Sequence, residues 1–299
     1  MEKVSILHLI TAAKNASPFD VNMAFDAGFD KIMPYTNVTL PEVPGLTQDA
    51  IFSRSPSGIK REGVFIGGRD IDLAIQMLNA AKGAMFAPFA CSVFADPSGA
   101  FTTAAAMIAK VEYHLKQHFG EDLNGKALSV FGASGPVGGC ASIIAALQGA
   151  KVKLVAHRST ADLEQKATVW NEQYGIEMQV VSGASDAAKQ EVLATSDIAV
   201  CAAAAGVEVI GQTLLQQTPQ LQIAADVNAV PPLGVQGVGV NDDGVRIGDS
   251  QAFGIGALAI GQLKYRTQHE LLKQMLTADK PQVLEFIAAF NLARELLNQ

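Results

Sequence analysis

The stretch KALSVFGASGPVGGCASIIAALQ, residues 126–148, decides the fold of the second half of the chain. A short apolar run leads into the glycine-rich turn FGASGPVGG (131–139), and small apolar residues at helical density follow. A strand, a glycine turn and a helix in this order are typical of the phosphate-binding segment of dinucleotide-binding folds. There the backbone N–H groups of the turn and the positive end of the helix hold the pyrophosphate.

The glycine turn departs from the usual G-x-G-x-x-G spacing. Alanine occupies the first glycine position, unless Gly132 serves one position early. Gly135 would let the backbone approach the pyrophosphate, and Gly138 would let the helix pack closely on the strand. Glycine turns also occur in folds that bind nothing, but the strand–turn–helix–strand context favours a dinucleotide. The predicted cofactor-binding residues of the turn are Ala133, Ser134, Gly135, Pro136, Val137 and Gly138.

The end of the next predicted strand distinguishes between the two nicotinamide dinucleotides. NAD sites usually place a carboxylate there for the ribose hydroxyls, but this chain has AHRST at 156–160. Arg158 can pair with a 2′-phosphate, to which Ser159 and Thr160 can donate, so NADP is favoured while NAD stays possible. We predict His157, Arg158 and Ser159 as cofactor-binding residues. The alternative is that Arg158 is a solvated surface cation.

Composition limits the class of protein. The 299 residues carry a net charge of −7, which argues against a nucleic-acid partner, and the 49% hydrophobic content predicts a large core. No apolar stretch is long enough to span a bilayer, and the N-terminus resembles no signal peptide. Cysteines 91, 140 and 201 lack disulfide or zinc spacing and are expected to be free thiols. We therefore expect a soluble cytoplasmic protein.

Strands alternate with helices along the chain, which predicts an α/β protein of two domains with mostly parallel sheets. Residues 1–122, completed by 266–299, form the first predicted domain, and residues 123–265 form a doubly wound, Rossmann-type domain. Helices predicted at 254–276 and 281–297, the second starting at Pro281, pack back onto the first domain. The predicted strands are 4–10, 31–35, 63–68, 89–96, 126–132, 151–158, 178–183, 197–204 and 222–229.

The stretch FADPSGAFTTAAA (94–106) contributes a second group of candidate residues. A predicted strand ends at Asp96, and a helix begins near Thr102 and Thr103. These side chains face a ligand at the carboxyl end of the sheet, or they only cap the helix. We predict all three as substrate-binding residues.

Seven stretches together resemble the NAD(P)-dependent methylene-tetrahydromethanopterin dehydrogenases of methylotrophic bacteria. The resemblance runs nearly end to end and is closer to the branch specific for tetrahydromethanopterin than to the one that also accepts tetrahydrofolate. The stretches are SPFDVNMAFDAGF (17–29), PYTNV (34–38), LTQDAIFSR (46–54), FIGG (65–68), FADPSGAFTTAAA (94–106), DVNAVPPLG (226–234) and GIGALAIGQLKY (254–265).

The resemblance implies a pterin-binding domain beside a Rossmann-type domain, in a homo-oligomer that acts in formaldehyde oxidation. The implied reaction is reversible hydride transfer from the methylene bridge of the pterin to NADP or NAD. The related bifunctional enzymes use a tyrosine–lysine pair for cyclohydrolysis. Here Tyr35 has no lysine four residues later, so we do not expect that second activity.

The resemblance also suggests roles for three residues. Asp20, in the first turn of its helix, is the first candidate for a pterin contact, where its charge could stabilise the developing methenyl cation. Lys264 matches a lysine of the family motif, and the amide of Asn228 could orient the nicotinamide. Alternatively, Asp20 only interacts favourably with the helix dipole, and Lys264 is a surface lysine. Asn228 could likewise only form a turn before Pro231.

A metal site and three other functions are the alternatives to this interpretation. His114 and His118 are spaced i, i+4, but without a HExxH arrangement a polar helix face explains them, and we predict no metal. Rival functions are a methylene-tetrahydrofolate dehydrogenase, an NADPH-binding sensor without catalysis and, more remotely, a quinone reductase.

Overall fold

The computed structural model describes residues 4–299 and divides the chain into two compact units. The first unit contains the residues up to Thr102 together with Tyr265–Leu292, and the second contains Thr103–Lys264 together with Ala293–Gln299. The first boundary between the units falls inside the helix Ala100–Phe119 (α4), whereas the sequence analysis predicts the domain boundary after residue 122.

The first unit is built on a five-stranded sheet in which every pair of neighbouring strands is parallel. The order β12-β4-β3-β1-β2 reverses direction between β1 and β3, where the chain crosses from one side of the sheet to the other. Ligands of open α/β sheets bind at the carboxyl ends of strands beside such a point. The strands are β1 (Ile6–Ile10), β2 (Lys31–Tyr35), β3 (Glu62–Ile66), β4 (Ser92–Ala95) and β12 (Val283–Leu284).

The helices of the first unit include α1 (Pro18–Asp26), α2 (Val43–Phe52) and α3 (Ile71–Gly83). Helix α1 starts as predicted, because the Ser17 hydroxyl accepts a hydrogen bond from the Asp20 N–H at 3.4 Å. The predicted packing of the C-terminal segment is confirmed within this unit: the Ser92 hydroxyl donates to the Met275 carbonyl at 3.2 Å.

Two predicted helix starts near the C-terminus are wrong. Helix α9 runs over Ala257–Thr277 rather than from 254, because Phe253–Ile255 (β11) forms a strand. Helix α10 runs over Phe286–Leu297 rather than from Pro281, because β12 precedes it. The edge of β4 offers unpaired backbone groups, and the Val93 N–H donates to the Gln282 carbonyl at 2.8 Å. This long-range pairing overrides the local preference of proline for a first helical turn.

The second unit has a seven-stranded sheet in the order β10-β11-β9-β8-β5-β6-β7. Only the edge strand β10 runs antiparallel, and the other six have the doubly wound order of dinucleotide-binding domains, as predicted. The strands not yet bounded are β5 (Ala127–Phe131), β6 (Lys151–Ala156), β7 (Met178–Ser182), β8 (Ile198–Cys201), β9 (Ile223–Asp226) and β10 (Asp243–Arg246).

Four helices connect these strands, and their burial follows from their composition. Helix α5 (Pro136–Leu147) is buried from Gly138 to Ala145, since its small apolar residues leave no polar face. The others are α6 (Ala161–Tyr174), α7 (Asp186–Leu193) and α8 (Gln212–Gln216). No helix within residues 4–299 is long and apolar enough to cross a membrane.

The predicted polar face at the histidine pair is wrong for His114. This side chain is buried, and its Nε2 lies 2.8 Å from an Asp243 carboxylate oxygen, which ties β10 to α4. The bonds from His114 and from Lys110 hold the pKa of Asp243 at about 2. Neighbouring His118 stacks on Phe253 with ring centroids 3.7 Å apart. Nowhere in residues 4–299 do three or more His, Cys, Asp or Glu residues gather to hold a metal ion.

The three cysteines are free thiols, as predicted, and all three are buried. Burial raises the pKa of Cys91 and of Cys201 to about 12. Both therefore remain protonated at neutral pH and are not activated nucleophiles.

Candidate dinucleotide and substrate sites

The turn between β5 and α5 depends on two glycines that approach the backbone closely. Gly132 has a φ of +82°, and a Cβ there would lie 2.4 Å from the Ala202 carbonyl oxygen. A Cβ on Gly138 would lie 2.4 Å from the Gly132 carbonyl oxygen. Gly132 is therefore the first glycine that the turn requires, and the spacing is G-x-x-G-x-x-G.

The start of α5 is arranged to receive an anion. Gly135 precedes the helix in an extended conformation and, as a glycine, brings no capping side chain to the first turn. The first N–H groups of a helix lack intrahelical acceptors and carry its positive dipole end, so they are available to phosphate oxygens. Ser134 is exposed and Val137 is half-buried, whereas Ala133 is fully buried and contributes packing. The turn thus fits a bound pyrophosphate.

A cavity of about 390 Å³ opens beside this turn, at the carboxyl ends of β5, β6 and β8. It brings together predicted cofactor residues from both sequence segments. Residues on its lining include Gly132, Ser134, His157, Arg158, Gly183 and Lys189.

The cations on this lining differ in their partners. Arg158 is exposed, and within residues 4–299 its guanidinium makes no hydrogen bond or ion pair, so it is available for a phosphate. The Ser159 hydroxyl accepts from the Ala161 N–H at 3.2 Å and so supports the start of α6. The Lys189 ammonium lies 2.8 Å from an Asp186 carboxylate oxygen and donates to the Val209 carbonyl. The sequence analysis did not select Lys189, because it predicted no helix at α7.

Asn228 uses its amide to hold the loop that follows β9. Its Oδ1 accepts from the N–H groups of Gly206 at 3.3 Å and Val230 at 2.9 Å, and its Nδ2 donates to the Pro232 carbonyl at 3.0 Å. These contacts support the turn interpretation over direct orientation of the nicotinamide. Asp226, two residues before Asn228, is also buried, and this burial raises the pKa of its carboxyl.

Asp20 lies in the first unit, just after the loop that leaves the carboxyl end of β1. The side chain is buried, and Oδ1 accepts a hydrogen bond from Gln268 Nε2 at 3.1 Å. Sequence reasoning missed Gln268, although it lies four residues after Lys264 and therefore shares its face of α9. Lys264 itself is half-buried.

Asp96 and Thr102 are engaged with each other at the start of α4. One Asp96 oxygen accepts from the N–H groups of Phe101 and Thr102, at 3.0 and 3.1 Å, and the other accepts from the Thr102 hydroxyl at 2.6 Å. Both side chains are fully buried. The contacts support the capping interpretation for these two residues. Thr103 is half-buried and stays a predicted substrate residue.

We expect Asp96→Ala to lower the free energy of unfolding by about 2–4 kcal/mol, because three buried donors at the start of α4 lose their acceptor. Urea denaturation followed by circular dichroism measures the change. Asp49→Ala, which removes an exposed carboxylate from α2, is the control and should change stability by less than about 0.5 kcal/mol. An equally small loss for Asp96→Ala would contradict the capping role.

Comparisons with known proteins agree with this architecture. Residues 18–98 match the family model described as methylene-tetrahydromethanopterin dehydrogenase, N-terminal. The chain is 44% identical to the NAD(P)-dependent methylenetetrahydromethanopterin dehydrogenase of Methylorubrum extorquens, over 98% of each chain. It is 31% identical to the bifunctional protein MdtA of the same organism, over 94% of each chain.

A similarity to a solved structure bears on the fold alone. The shikimate 5-dehydrogenase of Listeria monocytogenes, solved with shikimate and NAD, superposes with a TM-score of 0.55 at 17% identity. The alignment covers 98% of this chain and 96% of that one. With a relative at 44% identity along nearly its whole length, the chain belongs to the methylene-tetrahydromethanopterin dehydrogenase family.

Proposed function

We propose that this chain oxidises N5,N10-methylene-tetrahydromethanopterin to the methenyl form by reversible hydride transfer to NADP, with NAD as a possible substitute. The observation that carries the proposal is the 44% identity, over 98% of both chains, to the relative with that named activity. The glycine turn, with its two close backbone approaches and a glycine before the first helical turn, supports dinucleotide use.

The proposed chemistry requires few catalytic groups. NADP supplies the hydride acceptor when bound. Loss of hydride from the methylene carbon leaves a cation that the two flanking nitrogens stabilise, so no proton has to be removed and no general base is needed. Asp20 would stabilise the developing positive charge, and the remaining residues would hold the reactants in a reactive geometry.

The two units would divide these tasks between them. The first predicted domain (1–122 with 266–299) would bind the pterin through Asp20 and Thr103. The second (123–265), which also contains the candidate pterin contact Lys264, would bind the dinucleotide. The family resemblance alone supports a homo-oligomer in the cytoplasm that takes part in formaldehyde oxidation.

The preference for NADP can be tested at Arg158. We expect Arg158→Ala to weaken NADP binding by about tenfold or more and NAD binding by less than about twofold, because only NADP carries the phosphate that this cation pairs with. Isothermal titration calorimetry with both nucleotides measures the difference. Equal losses for NADP and NAD would place Arg158 outside the 2′-phosphate site.

The proposed function is tested by turnover of the purified protein, followed by absorbance, with methylene-tetrahydromethanopterin and methylene-tetrahydrofolate, each with NADP and NAD. We expect activity on the methanopterin substrate, and faster with NADP. Activity mainly on the folate would contradict the proposed substrate. NADPH binding without turnover of either pterin would favour a sensor instead.

A further inference from the structure

Lys166, on α6, places its ammonium on the glycine turn of the second unit. Nζ donates to the Ser134 carbonyl oxygen at 3.2 Å and lies 5.8 Å from the ring centroid of Trp170. Trp170 is 1% exposed, so the ring is a fixed surface against which the exposed lysine side chain lies. An exposed lysine ordinarily stays solvated, whereas this one is directed to the turn.

In the part of the chain that the structure describes, the charge of Lys166 has no counter-ion. Asp162 lies one helical turn earlier, at ion-pair spacing, yet within residues 4–299 no carboxylate forms an ion pair with the Lys166 ammonium. Helical side chains lean toward the N-terminus of their helix, which for α6 is the side of Ser159 and Arg158. A backbone carbonyl is a weaker partner for an ammonium than an anion, because charge-assisted hydrogen bonds are roughly twice as strong as neutral ones.

The contact with Ser134 places this cation within the predicted dinucleotide site. Ser134 precedes the N–H groups at the start of α5, on which a pyrophosphate would rest, and it lines the same cavity as Arg158. We propose that Lys166 is a second cation of the dinucleotide site and pairs with the 2′-phosphate of NADP together with Arg158. This inference rests on the proposed use of NADP. Lys166 exchanges the Ser134 carbonyl for a phosphate oxygen, and the residue thereby helps to select NADP over NAD.

The test compares Lys166→Met with Lys151→Met, which removes the same charge from an exposed position at the opposite end of β6. Calorimetric titration with NADP and with NAD gives both dissociation constants, and thermal melting shows whether each variant is folded. We expect Lys166→Met to weaken NADP binding by about tenfold and NAD binding by less than about twofold. Lys151→Met should change neither constant, and Lys166→Arg should bind NADP within about threefold of the wild type.

The possible results separate this inference from the proposed function. Equal losses of NADP and NAD in Lys166→Met would overturn the 2′-phosphate assignment and place the cation on the pyrophosphate. Unchanged binding of both would overturn any phosphate role for Lys166, while wild-type turnover of the pterin with NADP would leave the proposed function intact. A wild-type protein that binds neither nucleotide would overturn both.

Discussion

Gly138→Ala is expected to weaken the binding of NADP and NAD alike by about 100-fold, since misplacing a binding group by 1 Å has effects of this size. The added Cβ would lie 2.4 Å from the Gly132 carbonyl oxygen, and that neighbour is backbone rather than a flexible side chain. The turn must therefore shift away from α5, and its N–H groups with it. Overpacking of this kind should also lower the free energy of unfolding by about 1–3 kcal/mol. Calorimetry and urea denaturation measure the two effects.

Gly45→Ala is the matched control, because Gly45 also lies within a helix but a Cβ there would meet nothing within 4 Å. It should leave dinucleotide binding unchanged and stabilise the protein slightly through helix propensity. Wild-type affinity in Gly138→Ala would show that the turn does not hold the cofactor. A melting curve shows whether Gly138→Ala folds. If it does not, Gly135→Ala is the milder variant, because a Cβ there would lie 3.3 Å from the Gly132 carbonyl oxygen.

Asp20→Asn should reduce kcat for methylene-tetrahydromethanopterin by about 10²–10³-fold, the usual effect of removing one preorganised electrostatic contact. Asparagine keeps the shape of the side chain, and its oxygen can still accept the bond from Gln268, so the change removes the charge while keeping that bond. The dissociation constant of NADP should stay the same. Steady-state turnover and nucleotide titration test both parts.

Asp279→Asn removes an exposed carboxylate from the first unit and controls for net charge. Its activity should equal that of the wild type. Full activity in Asp20→Asn would contradict the proposed role in hydride transfer and would mean that Asp20 only interacts with the dipole of α1. A parallel fall in activity and in melting temperature would indicate that the buried side chain acts through stability instead.

Sequence reasoning succeeded where the determining contacts are local. The apolar run of β5, the glycine turn and the start of α5 lie within a few residues of one another, and each residue limits the backbone of the next. The Ser17 cap of α1 is local in the same sense. Likewise, Gly132 and Gly138 could be recognised as turn residues, although only the structure decides which glycine takes the first position.

Sequence reasoning failed where the structure around a residue depends on a contact with a residue far away in the chain. His114 was interpreted as part of a polar face, but Asp243, 129 residues later, pairs with it and buries it. Gln268 could not be connected to Asp20 from spacing, since the contact spans 248 residues. Pro281 favours a helix start locally, yet Val283 and Leu284 pair with the free edge of β4 and form a strand instead.

The position of β12 has a consequence for biosynthesis. The first unit needs Val283 and Leu284 to complete its sheet, and helix residues up to Leu292 to cover it. All seven strands of the second unit, by contrast, lie between Ala127 and Ile255. As the ribosome extends the chain from its N-terminus, the part that emerges first is therefore the part whose sheet is finished last. During translation the nascent first unit must stay unaggregated with an open β4 edge until Val283 and Leu284 have been synthesised.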